Sequence, residues 1–118
     1  MEGSIMKKWL EINTIQEWQD ALDRSKNQPV IILKHSTACP VSFNALQEYD
    51  EYLSKKPNTS AEYLLVKVIE SRPVSNKIAE DMNVKHASPQ IIMVKNGEAV
   101  WNSSHWSITT EHITAVLD

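Results

Sequence analysis

Two short apolar runs constrain this chain most. "PVIILKH" (residues 29–35) and "EYLLVKVIE" (residues 62–70) carry β-branched and aliphatic side chains at consecutive rather than alternate positions. Strands with that pattern suit burial on both faces, which a sheet layered between helices provides. Helical patterns do lie between the runs. Thr14 and Glu17 form a capping-box pair, and Ile15, Trp18, Ala21 and Leu22 follow at helical spacing, so a helix is expected over about Ile15–Ser25, with Trp9–Ile12 as a short edge strand before it. "PVSFNALQEYDEYLSK" sets Val41, Ala45, Leu46, Tyr49 and Leu53 on one stripe of a second helix, and "PVSNKIAEDMNV" turns Val74, Ile78, Ala79 and Met82 inward on a third. "PQIIMVKNGEAVW" is two strand-like runs joined by Asn96-Gly97, where both residues tolerate positive φ, and this predicts a hairpin. Thr109 or Thr110 caps a last helix carrying Ile113, Val116 and Leu117. The order β-α-β-α-β-α-β-β-α predicts an α/β fold, a mixed central sheet of four to five strands with helices on both faces.

At 118 residues the chain supports one core, assigned to residues 9–118. Residues 1–8 are an N-terminal extension, in part a cloning remnant if Met6 is the native start. A net charge of -3 with dispersed lysines offers no phosphate-neutralising stripe, so no nucleic-acid partner is expected. No window approaches the roughly 20 apolar residues of a membrane helix, and "MEGSIMKKW" has no apolar segment behind its lysines. The chain is therefore expected to be cytoplasmic and not membrane-bound. Its single cysteine agrees, because disulfide frameworks need pairs.

That cysteine lies in "HSTACPVSF", where Cys39 falls at a strand-to-helix turn and Pro40 takes the first helical position. In open α/β sheets chemistry gathers at such strand ends. Unpaired N–H groups and the positive end of a helix dipole favour a thiolate there. With Cys39 as N-cap, the N–H groups of Val41 and Ser42 would point toward the sulfur, and the Ser42 hydroxyl would donate to it. A small polar turn is a poor setting for a space-filling cysteine, which points to a reactive thiol. With no second cysteine, it works through mixed disulfides and an external thiol. No compact Cys/His set accompanies it, so neither a metal site nor a tightly bound cofactor is expected, and nothing in the spacing singles out a histidine as a base for a Cys-His hydrolase.

"NVKHASPQIIMVKNGEAVW" resembles the C-terminal half of thioredoxins, and "KHSTACPVS", "ESRPVSNKIAEDMNVKHASPQ" and "NSSHWSIT" resemble signature stretches of the monothiol bacilliredoxins, from about Trp9 to the C-terminus. The resemblance implies a thioredoxin-like fold, three-layered α/β/α, with Pro89 as its cis-proline. It implies a thiol-disulfide oxidoreductase removing bacillithiol from protein mixed disulfides, with Cys39 as nucleophile. Its partners would be bacillithiolated proteins and a low-molecular-weight thiol, with bacillithiol as co-substrate. The chain departs from the Cys-Gly-Cys pattern of the dithiol branch, and the single-cysteine branch is associated with general stress. Within this frame His86 joins Ser42 and Val41 in stabilising the thiolate. Thr37, Ala38 and Pro40 rim the thiol, Ser88 and Pro89 shape a substrate groove, and Lys34 and His35 supply positive charge for the malate carboxylates of bacillithiol. His105 and Trp106 would anchor the final helix. Two other readings stay open: an iron–sulfur cluster carrier of the monothiol-glutaredoxin type, whose motif has glycine where this chain has Pro40, and a non-catalytic thioredoxin-like binding module.

Overall fold

The structure is a computed structural model that describes residues 8–55 and 57–117. Residues 1–7 of the expected extension, Met6 included, lie outside the described residues. The chain runs through β1 (Leu10–Glu11), α1 (Ile15–Arg24), β2 (Val30–His35), α2 (Pro40–Ser54), β3 (Glu62–Lys67), α3 (Arg72–Met82), β4 (Gln90–Lys95), β5 (Glu98–Ser104), a 3-10 turn (His105–Ser107) and α4 (Thr110–Leu117).

α1 begins where its capping box places it. Thr14 Oγ1 accepts the Glu17 N–H at 3.1 Å, and Glu17 Oε1 accepts the Thr14 N–H at 3.0 Å. Two otherwise unpaired donors are satisfied reciprocally. Thr14→Ala is therefore expected to lower stability by about 1 kcal/mol in urea unfolding, with the slope unchanged.

The five strands form one sheet in the order β1-β3-β2-β4-β5, with β1, β3 and β2 parallel and β4 and β5 antiparallel. β2 lies at the centre, and its period of two divides its side chains between two cores. Ile31 and Leu33 pack with Ala45, Tyr49, Ile113 and Leu117 beneath α2 and α4. Val30 and Ile32 pack with Trp18, Ala21, Val74 and Ile78 beneath α1 and α3. The layers are α/β/α, the thioredoxin-like arrangement that the resemblance implies. Two large buried side chains at these helices have their polar atoms paired: Tyr49 donates its hydroxyl to the Leu64 carbonyl at 3.0 Å, and Trp18 donates Nε1–H to Asp81 at 2.8 Å.

Asn96 and Gly97 turn the β4-β5 hairpin with φ of 52° and 78°, in the left-handed region the sequence predicts. At the last helix the cap is Thr109, whose Oγ1 accepts the His112 N–H at 3.1 Å; Thr110 is instead held to Glu48 on α2 by two hydrogen bonds of 2.8 and 3.0 Å. The expected anchoring by His105 and Trp106 is corrected. His105 takes a positive φ of 56°, both side chains turn outward, and Trp106 is 65% exposed. Ile108, fully buried in the α2/α4 core, has that role.

Register decides where the site lies. Lys34 pairs with Gln90 across β2 and β4, and His35 with Lys67 across β2 and β3. The ends of β2 and β3, the start of β4, and the first residues of α2 and α3 thus share one edge of the sheet.

Candidate active site

Cys39 is the N-cap residue of α2, in extended conformation with φ -123° and ψ 121°, and Pro40 opens the helix. Its thiol is half-buried, and Thr37, Ala38 and Pro40 beside it are exposed. A turn closes on it from the strand: the Cys39 N–H donates to the Ser36 carbonyl at 3.4 Å, and the Cys39 carbonyl accepts the first helical N–H, from Phe43, at 3.1 Å. Thr37 Oγ1 reaches toward Glu70 at 3.5 Å.

The expected bonds to sulfur from Val41 and Ser42 are corrected, because the Cys39 side chain makes no capping hydrogen bond. Ser42 is fully buried, and its hydroxyl is engaged elsewhere. Oγ accepts the Ser36 N–H at 2.8 Å and shares a 2.9 Å hydrogen bond with His35 Nδ1. Ser42 thus ties the end of β2 to the first turn of α2, on either side of Cys39. Val41 is half-buried in the same turn.

Lys34 and His35 lie on opposite faces of β2, and both are buried, Lys34 completely. The resemblance has both supplying positive charge to a substrate, and the structure withdraws both from solvent. Burial pushes the His35 imidazole below its ordinary value, and the nearby Lys67 charge adds to this. Desolvation brings the Lys34 ammonium down from 10.5 to about 8. Lys34 has no ion pair among the described residues; it meets His86 instead, with Nζ 3.2 Å from Nδ1. An ammonium can only donate, so Nδ1 accepts and the ring proton of His86 sits on Nε2. His86 is otherwise exposed, and its pKa is lowered by burial first and then by the charges of Lys34 and Arg72. In this structure, then, His86 is bonded to Lys34 and not, as expected, to the thiolate.

The Ser88-Pro89 peptide is cis, and Pro89 is buried at the start of β4. The Pro89 carbonyl accepts the His105 N–H at 3.0 Å. Ser88 Oγ and Gln90 Oε1 are buried without a hydrogen-bond partner among the described residues. Arg72, the first residue of α3, was not singled out from the sequence; its arrival at this edge depends on the β2-β3 register, which no local pattern displays. Among the described residues no three His, Cys, Asp or Glu side chains are grouped as a metal site needs, and no helix is long and apolar enough to cross a membrane.

A family model described as monothiol bacilliredoxin BrxC matches residues 10–113. A solved thioredoxin-fold protein, provisionally assigned as an oxidoreductase, is 30% identical over 92% of this chain and 93% of its own, with a TM-score of 0.80. Fasciola hepatica thioredoxin superposes with a TM-score of 0.73 at 13% identity over 92% of this chain and 95% of its own. Schistosoma mansoni thioredoxin does so with 0.71 at 20% over 93% and 94%. These last two likenesses concern the fold alone.

Proposed function

The chain belongs to the monothiol bacilliredoxin family, and from that premise we propose that it removes bacillithiol from protein mixed disulfides through Cys39. The observation that carries this reading is the position of the chain's single cysteine, accessible at the N-terminus of α2 on the edge where Pro89 leads into β4. A helix N-terminus favours a sulfur anion by its unpaired N–H groups and dipole.

The chemistry balances as two exchanges. The Cys39 thiolate attacks the bacillithiol sulfur of the client disulfide; the new Cys39–bacillithiol bond forms as the client sulfur–sulfur bond breaks, and the client thiolate takes a proton from solvent. A second low-molecular-weight thiol, as thiolate, then attacks the bacillithiol sulfur and returns Cys39 as thiolate. No net oxidation occurs in either exchange, and no second protein cysteine is required. Thr37, Ala38 and Pro40 form the rim that meets the client, and the backbone of Ser88 offers pairing groups to an extended segment.

The test is intact-mass detection during incubation with a bacillithiolated client. The client is expected to lose the bacillithiol mass while this chain transiently gains it at Cys39. A client mass that stays constant, with Cys39 never carrying the adduct, overturns the reading.

A further inference from the structure

We propose that Lys34, His86 and Arg72 form an anion subsite beside Pro89 that receives the carboxylate end of the small thiol, an inference that rests on the bacillithiol reading above. The first observation is charge without a counter-charge. Lys34 is fully buried, yet neither Lys34 nor Arg72 has an ion pair among the described residues. A buried ammonium is ordinarily retained only with compensating partners. Here it meets a histidine nitrogen instead.

The second observation is direction. Because Lys34 occupies Nδ1 at 3.2 Å, the remaining donor of His86 is Nε2–H, on a ring that is otherwise exposed. The buried lysine therefore acts through His86, setting its tautomer and adding positive potential beneath it. A neutral donor backed by a cation suits a carboxylate better than a neutral ligand.

The third is position. Lys34 pairs with Gln90, so His86, only three residues before Pro89, is held at the sheet edge from which Cys39 also emerges. Arg72 begins α3 at the same edge, where the helix N-terminus adds positive potential. Glu70, which follows β3 at this edge, reaches toward Thr37. Gln90 Oε1, opposite Lys34, is buried and unpaired among the described residues, a further polar group without a satisfied role at this edge. Lys34 is thus a positioning residue, while His86 and Arg72 make the contacts.

Two measurements test this. The first compares release rates from one client carrying either bacillithiol or uncharged 2-mercaptoethanol as the mixed disulfide. The wild-type protein is expected to prefer the bacillithiol adduct, and Lys34→Met, by weakening the His86 contact, and Arg72→Gln, by removing a charged one, are each expected to reduce that preference about tenfold. The second titrates S-methyl bacillithiol, which cannot exchange, and follows the His86 imidazole by NMR. The ring resonances are expected to move on binding, with affinity weakened about tenfold in either variant. An undiminished preference in both variants, or His86 resonances indifferent to S-methyl bacillithiol, overturns the subsite. Failure to process either client adduct would overturn the exchange reading instead, and the titration would then decide the subsite alone.

Discussion

Ser42→Ala is expected to lower the stability of the fold by about 3 kcal/mol, because one hydroxyl satisfies two groups that water cannot reach. The Ser36 N–H, 2.8 Å from Oγ, and His35 Nδ1, at 2.9 Å, are both on buried residues. Each buried group left unpaired costs about 1–3 kcal/mol, well above the ~1 kcal/mol contributed by an ordinary hydrogen bond. In a domain of this size the change corresponds to a fall in melting temperature of roughly 10 °C or more. A fall of less than 3 °C would show that the two groups find other partners. Ser42→Cys sharpens the point. It would pair Cys39 with a second thiol in a Cys-x-x-Cys spacing, yet sulfur is a weak acceptor and a poor donor. That variant is also expected to melt below the wild type. The serine in "CPVS" is therefore a structural clamp, and its replacement by a second thiol costs stability whatever it does to the redox chemistry.

The same residue shows where sequence reasoning reaches its limit. The Thr14-Glu17 cap, the Asn96-Gly97 hairpin and the continuous apolar runs of β2 and β3 were legible because the groups that decide them lie within a few residues. The layered fold follows from their order, and so does the place of Cys39 at the start of α2. The partners of Ser42 were not legible. His35 and Ser36 are seven and six residues away across a strand, a turn and a helix start, and only the closed turn brings them to one oxygen. Lys34 is hidden for a related reason: its burial against His86 depends on a segment 52 residues further on. His105 and Trp106 fail differently. A positive φ at His105 turns that pair away from the core, and no residue type there announces it.

Lys34→Met carries the second large effect, and it runs opposite to the first. The Lys34 ammonium is buried, and desolvation brings its pKa from 10.5 to about 8. At ~1.4 kcal/mol for each tenfold change in proton affinity, keeping this group charged in the folded state costs on the order of 3 kcal/mol. Below pH 8 both folded and unfolded chains hold the proton, and the cost is present in full. As pH rises from about 8 toward 10.5 the folded chain releases its proton first, the unfolded chain binds more protons, and this contribution to stability rises with pH. Methionine has similar reach and no charge to desolvate. At pH 7 Lys34→Met is therefore expected to be more stable by about 2 kcal/mol, after the hydrogen bond to His86 is lost. Its advantage should shrink as pH passes from 8 to 10.5. Urea unfolding at pH 7 and pH 10 measures both. A variant less stable than wild type at pH 7 would mean that the ammonium is compensated in the fold. A more stable variant at pH 7 would mark Lys34 as a place where the chain gives up stability, as functional sites often do. On the anion-subsite proposal, the potential that Lys34 passes through His86 to the edge bearing Cys39 is what offsets that loss.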